Sequence, residues 1–379
     1  MRVASLLILS FLSSVTWSQE TKPFDTCRPQ LELHCSDVKI ENARETVKCL
    51  MNHRDELSES CKDEIQRFVK VLRQTTPPGG GPLGLLGGMT SLAGQVPMFA
   101  YDGQLLPAGS EGEKSPSIME NNFRLSMPVL ISEEDKVSVS LSAGKLSTGE
   151  AVSLDSGIKL PQDFYRTSVG LQYSHRLSGK RMYGLQGTFG YAGDEFDGST
   201  QTYNLSANYS YPGSKEGHWV PMVLFSNNSP LGDGVPIPGF FYVHKTDNFT
   251  GVFGLPIISL QWTPVEELSL SLSALGPLIK GEVSYGSIDD VQTFTGISWN
   301  QQRYLLSSRE NEEDRLTFED KKIEAGMRMP VAKKMLGEFK LGYSFDRAVY
   351  LGEGLFKRDS GEKTLESAGF LIWSVRYMF

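Results

Sequence analysis

The sequence predicts a mainly β protein, a transmembrane antiparallel β-barrel preceded by a small disulfide-bonded α-helical domain. Three observations predict it. Beyond residue 119, stretch after stretch alternates apolar and polar residues with period two. That period marks strands with one face in an apolar medium and the other in a polar one. An export signal opens the chain, and all four cysteines fall between Cys27 and Cys61, as in small exported domains held by disulfides.

The signal is "MRVASLLILSFLSSVTWSQE", with Arg2, an apolar run from Leu6 to Leu12, and small residues at Ser13, Ser14, Thr16 and Ser18. We read residues 1–19 as a secretory signal peptide cleaved near Gln19. No later run approaches the ~20 apolar residues that a spanning helix needs, so a membrane crossing must be made by strands. Charged residues are 22% of the chain and the net charge is −8. That balance offers no basic field for nucleic acid.

Residues 20–75 form the cysteine-rich helical domain. Ile65, Phe68, Val69 and Leu72 recur at helical spacing. Asn42 is placed to cap a middle helix, and Ser58 or Ser60 a last one, with Asp63 three residues after Ser60. Four cysteines allow three pairings. Antiparallel helices would join the inner pair, Cys35 with Cys49, and the outer pair, Cys27 with Cys61. Cys49 and His53 are spaced i, i+4 and His34 adjoins Cys35, so a metal site is the competing reading. Disulfides and surface histidines explain the same residues with less, and no metal or cofactor is expected. The stretch "LELHC…VKCLMNHRDELSESCKDEI" resembles a single cysteine-rich repeat of the Golgi apparatus protein type. The resemblance covers roughly 45 residues and implies binding rather than catalysis, hence a periplasmic protein partner through residues 20–75.

Residues 76–118 read as a linker. Pro77, Pro78 and the glycines from Gly79 to Gly81 break the last helix, and no regular period follows. Its leucines, Leu83, Leu85 and Leu86, suit a segment lying in a barrel mouth, against the simpler reading of a tether.

The barrel is assigned to residues 119–379. Val137, Val139 and Leu141 alternate with serines, as do Leu268, Leu270 and Leu272, while Tyr203 to Tyr211 alternates with Asn204, Ser206, Asn208 and Ser210. A soluble sandwich or lipocalin-like barrel would turn these apolar faces inward; an outer-membrane barrel turns them to lipid. Aromatics near strand ends (Tyr183, Tyr191, Tyr209, Tyr211, Trp262, Tyr343) and segments of about ten residues favour the membrane version. So do tight "SEEDK" and "SGK" turns alternating with long charged segments at "GDEFDGST", "SSRENEEDR" and "LGEGLFKRDSGEKT". Pattern counting gives thirteen crossings, with "GFFYVHK" as a further candidate. Because bacterial barrels have even numbers, twelve strands are expected, with fourteen as the alternative. The stretch "VPIPGFFYVHKTDNFTGVFGLPIISLQWTPVEELSLSLSALGP" resembles a family of uncharacterised bacterial outer-membrane barrels, over most of residues 120–379. That resemblance implies an outer-membrane location with no assigned activity.

Candidate chemistry is sparse. Ser174 and His175 are adjacent on a strand and point to opposite faces, so they make no dyad. His218 and His244 read as structural. Asp194, Glu195 and Asp197 could gather around calcium but lack the spacing of a calcium loop. Glu324, Arg328, Lys340, Asp346 and Arg376 fall on the polar faces of the last strands, where they would line or fill the lumen. The final strand alternates Leu371, Trp373, Val375, Tyr377 and Phe379, which resembles the C-terminal signal read by the bacterial barrel-assembly machinery. The expected partners are therefore outer-membrane lipid and that machinery. The expected function is a non-enzymatic outer-membrane barrel for small-solute passage or for an envelope structural or docking role. The competing functions are a lipid- or lipopolysaccharide-modifying enzyme and a secreted soluble β-protein with an adhesive module.

Overall fold

The computed structural model describes residues 27–35, 46, 49–51, 53, 56–62, 65, 97–109, 116–229, 234–275, 278–353 and 360–379. The signal peptide, the cap at Asn42 and most of the segment 76–118 lie outside them. The chain divides into two units, Met1–Pro77 and Pro78–Phe379.

In the first unit, α1 (Arg28–His34) carries a proline in its first turn, where the missing N–H costs nothing. Its one buried residue, Leu31, packs with Leu50, Leu57, Ile65 and the half-cystines Cys27, Cys35 and Cys61. The disulfides are Cys27–Cys61 and Cys35–Cys49, the nested pairing. Ser58 Oγ accepts from the Cys61 N–H at 3.3 Å, capping the helical turn that follows it.

Among the described residues, the second unit has seventeen strands. The first six are β1 (Met98–Leu106), β2 (Ile118–Ile131), β3 (Asp135–Thr148), β4 (Asp163–Leu177), β5 (Arg181–Gly193) and β6 (Gln201–Ser214). The next six are shorter: β7 (Gly217–Ser226), β8 (Ile237–Lys245), β9 (Phe249–Leu255), β10 (Ile257–Val265), β11 (Leu268–Leu275) and β12 (Leu278–Gly286). The last are β13 (Gln292–Tyr304), β14 (Arg315–Ala332), β15 (Met335–Gly352), β16 (Ser360–Leu365) and β17 (Ala368–Met378). Each strand from β1 to β15 pairs antiparallel with the next, β15 pairs with β17, and β17 closes on β1 from Met98↔Met378 to Leu105↔Leu371. The ring has sixteen strands, not twelve or fourteen. β16 stands outside it, paired with the far end of β15 from Arg347↔Leu365 to Leu351↔Ser360. Closure leaves no unpaired edge in the ring itself, the condition a strand structure must meet to cross hydrocarbon.

Three strands account for the miscount. β1 lies inside the stretch read as linker, because Gly103 within it and Pro97 and Pro107 on either side hid a short alternation from Phe99 to Leu105. β8 is the "GFFYVHK" candidate. The stretch 252–263, read as one crossing, turns back at Pro256 and supplies parts of both β9 and β10, which pair from Ile258↔Phe253 to Trp262↔Phe249. Gly254 and Pro256 are turn residues, but with a single residue between the strands no polar loop interrupts the apolar pattern, and the two strands read as one.

All connections at one end of the barrel are short, as at 132–134, 178–180, 215–216 and 333–334, and both ends of the ring lie there. We call it the turn end. The other, the loop end, holds the long segments 149–162, 227–236, 305–314 and 353–367. Every ring strand exposes at least one large apolar side chain on its outward face, among them Val169, Leu205, Ile297, Ile323 and Leu341. Aromatic pairs border this belt at both ends: Tyr165–Phe196 and Tyr203–Phe225 near the loops, Tyr209–Tyr211 and Tyr377–Phe379 near the turns.

Candidate functional site

The interior of the barrel is the candidate site, and it has three parts. Along β3 to β6 many inward residues are small and polar, with the larger Arg166, Gln172 and Gln186 among them. Ser142 and Ser168 share a hydrogen bond of 2.7 Å, and the Asn204 amide donates to the Thr188 hydroxyl at 3.1 Å. These side chains are half-buried.

On the far wall, β12 to β15 and β17 carry a charged ladder in the turn-end half. Arg328 grips Glu282 with two parallel bonds of 2.7 Å, takes Gln292 at 3.2 Å, and pairs through Nε with Glu338. Lys340 reaches Glu338 at 3.1 Å and Glu324 at 3.3 Å, and Arg376 approaches Glu338 at 3.9 Å. The Arg328 guanidinium also lies 4.0 Å from the centroid of the Phe294 ring, a cation–π contact. The ladder follows from register. Arg328 pairs across the sheet with Glu338, Gln292 with Arg328, and Leu336 with Arg376, so charges two residues apart on one strand meet their opposites on the next. All of these side chains are at most 10% exposed. Buried charges of both signs fill this side rather than leave a conducting stripe.

Glu324, Arg328, Lys340 and Arg376 are therefore brought together inside. Asp346 is not. Its backbone has φ of 48° beside a shift of register between Glu319 and Lys321. The shift reverses the alternation, so Asp346 points outward and pairs with Lys321. Lys321 in turn lies 5.0 Å from the Trp299 ring centroid.

The third part closes the loop end. Beyond that bulge the alternation of buried and exposed residues stops. Residues 315–319 of β14 and 347–352 of β15 are buried without interruption. These strand ends remain paired with β13, with each other and with β16, and both of their faces are covered. Leu305, just after β13, donates its N–H to Ala192 O at 2.8 Å and bridges Gly193 at the tip of β5. β5 and β13 are eight places apart in a ring of sixteen, so the contact spans the lumen. A Cβ on Gly193 would sit 2.3 Å from the Leu305 carbonyl oxygen, which reserves the position for glycine. Gln302 donates to Glu120 at 2.8 Å, Lys322 to Gln104 at 3.0 Å, and Arg315 to Asn227 O at 3.0 Å. The first two join strands that are not neighbours, and the third ties β14 to the loop after β7.

An apolar core seals the gap, built from Leu106, Phe164, Tyr304, Leu316, Phe318 and Val349 of the strands. The loop 149–162 adds Val152, Leu154 and Leu160, held in a small hairpin by Leu160 N–H to Val152 O and Leu154 N–H to Ile158 O. Beneath this core a cavity of about 30 Å³ remains, lined by Gln104, Glu120, Gln302, Asp320 and Lys322 among others. That is room for about one water. The sequence signals for this lid were the apolar residues in loop 149–162 and the loss of period two after Phe345.

The acidic loop after β5 is committed to the protein itself. Asp194 accepts from the Ser307 N–H at 2.8 Å and its hydroxyl at 3.0 Å, tying this loop to 305–314. Asp197 caps the turn 198–200 through the N–H groups of Ser199 and Thr200. The Ser199 hydroxyl beside it holds the Asp197 carboxyl below the usual carboxylate range. His175 has a partner the sequence did not offer. Asp135, forty residues earlier on β3, meets its Nδ1 at 2.8 Å and also accepts from the Tyr173 hydroxyl at 2.7 Å. The pair sits on the outward face at the turn end, while Ser174 points to the other face. Leu371, Trp373, Val375 and Tyr377 occupy the outward face of β17, and the Phe379 N–H donates to Pro97 O at 3.0 Å.

No protein-family model matches the chain, and no curated protein matches it. Among solved structures, an outer membrane channel from Pseudomonas putida F1 aligns at 10% identity and a TM-score of 0.33, covering 76% of this chain and 97% of that one. The P. putida toluene transporter TodX aligns at 10% identity and TM-score 0.31, covering 77% and 92%. The translocator domain of the autotransporter NalP from Neisseria meningitidis does so at 12% and 0.26, covering 79% and 94%. Scores this low assign no activity to the chain, and its function is argued from its own geometry.

Proposed function

We propose that the chain is a non-enzymatic bacterial outer-membrane β-barrel that is closed at rest and serves as an envelope anchor for its cysteine-rich module. The membrane reading is supported by the outward belt, since no soluble fold leaves large apolar side chains exposed on sixteen successive strands. Short turns and both barrel ends then face the periplasm, the compartment also proposed for the module. The observation that carries closure is the lid: β13 and loop 305–314 hydrogen-bond to β5 across the lumen. The Asp135–His175 pair is shared with the Tyr173 hydroxyl on the outward face, and Ser174 points to the other face, so no Ser–His dyad forms there. A second reading, gated passage of small polar solutes, is favoured by the hydroxyl and amide lining of β3 to β6.

Purified chain in planar bilayers tests closure. The wild type should show no steady conductance. Gly193→Val, which pushes the loop tip off β5, should open it. Steady conductance in the wild type would overturn the closed-barrel reading and favour passage. A heat-modifiable band in outer-membrane fractions is the accompanying check on location; recovery only in the soluble fraction would refute it.

A further inference from the structure

The cysteine-rich module holds a convergence of donors that its disulfides do not explain. His34 ends α1, while His53 and Glu56 follow Cys49 on a separate stretch. The Cys35–Cys49 bond draws the two together, with Cα atoms 6.1 Å apart, and the Cys49 sulfur lies 3.6 Å from His34 O. A backbone bond from the Glu56 N–H to His53 O, 3.0 Å, fixes the turn between the other two. One donor atom from each of the three residues lies within 4.8 Å of the other two.

We propose that His34, His53 and Glu56 bind one first-row divalent cation of the zinc and copper class, with water completing the shell. His34 Nδ1 and Glu56 Oε2 are 3.3 Å apart. Two ligands of a tetrahedral ion held at about 2.0–2.1 Å stand about 3.3–3.4 Å apart, so this edge is already set. The His34 and His53 rings are stacked, with centroids 4.8 Å apart and planes at 20°. One ring must turn for both lone pairs to meet at a single point, and closing the widest gap to the tetrahedral edge takes about 1.5 Å. His53 is half-buried and Glu56 is exposed, so these side chains have room for that movement. Two imidazoles and a single carboxylate suit zinc or copper. Calcium would want six to eight oxygens. The cysteines are withdrawn from ligation by their disulfides, so the site is carried by the residues beside them.

The test uses the full chain in detergent micelles, stripped with a chelator and then offered Zn(II), Cu(II) or Ca(II) separately. After gel filtration, elemental analysis should find about one zinc or copper per chain and no calcium. His34→Ala and His53→Ala should each lower retained metal at least tenfold, and Glu56→Gln by severalfold. Electron paramagnetic resonance of the copper form should show two nitrogen ligands in the wild type and one in His53→Ala. A thiol assay reading zero in every variant shows the disulfides intact. Metal retention equal in the wild type and in the His34→Ala/His53→Ala double variant, with thiols still at zero, would overturn the site. So would a copper spectrum unchanged by His53→Ala.

Discussion

Replacing Glu338 with glutamine keeps the side chain's volume and removes its charge. In the native barrel this carboxylate, 3% exposed, serves three cations: Arg328, Lys340 at 3.1 Å and Arg376 at 3.9 Å. After the change Arg328 keeps Glu282 and Lys340 keeps Glu324. Arg376 keeps no ion pair among the described residues. Removing one partner of a buried pair costs about 3–5 kcal/mol, chiefly through the charge left behind. With two of the three cations still held, the lower end applies, about 3 kcal/mol. A double variant, Glu338→Gln with Arg376→Met, removes the stranded charge and should recover at least about 1 kcal/mol of that loss. Urea titration in detergent micelles, followed by tryptophan fluorescence, gives both numbers from midpoint and slope. Mobility of unheated samples on gels verifies that each variant starts folded. A single variant within about 1 kcal/mol of wild type, or a double variant no more stable than the single, would refute the ladder as a coupled network.

The two disulfides should rank by loop length. Cys27–Cys61 spans 34 residues and Cys35–Cys49 spans 14, which chain entropy converts to about 4 and about 3 kcal/mol. Trypsin cleavage between residues 27 and 65 should therefore rise more when the outer pair becomes serine; the reverse order counts against the argument. Phe379→Asp places a charge beside Tyr377 at the turn-end aromatic border. It should lower the folded, heat-modifiable fraction in outer membranes while export continues, and normal assembly would remove the last strand's role as a signal. Asp197 predicts a pH dependence. Its carboxyl is held below the ordinary range by the Ser199 hydroxyl and by backbone N–H groups, so its support for loop 194–200 is complete above the unfolded value near 4 and fades as pH falls through the depressed folded value. Amide protection in that loop, corrected for the intrinsic exchange rate, should fall only under those acidic conditions, and Asp197→Asn should abolish the dependence. An equal fall in the asparagine variant would show another group responsible.

How much was legible follows where a single periodicity ruled. Within the belt, β3, β6, β11 and the turn-end half of β15 alternate cleanly, because lipid-like and polar surroundings act on every second residue. The faces of Glu324, Arg328, Lys340 and Arg376 could be read off directly. Asp346 was misread because one inserted residue at a bulge inverts parity, and parity is all the pattern encodes. The lid is only half legible. Leu316 and Phe318 alternate with Arg315, Thr317 and Glu319 like any strand with one polar face, so nothing there marks both faces as buried; only the loss of period two after Phe345 and the apolar residues of loop 149–162 do. Partners forty or more residues apart, such as Asp135 with His175 or Asp194 with Ser307, arise from strand adjacency and loop packing. Local spacing carries neither.

The unequal strand lengths have a consequence for the surrounding bilayer. β9 has seven residues and β11 eight, whereas β14 and β15 have eighteen each. At about 3.4 Å per residue and a tilt near 45°, a seven-residue strand rises only about 17 Å. A barrel's apolar band is typically about 25 Å tall. In the membrane proposed above, the wall along β8 to β11 would be shorter than the lipid tails it meets, and the leaflets would pinch inward there while remaining full height on the opposite side. Such a one-sided thinning tilts the barrel in its membrane. It also makes the low wall the flank where lipid is least ordered, and where a thinner membrane would hold this protein best.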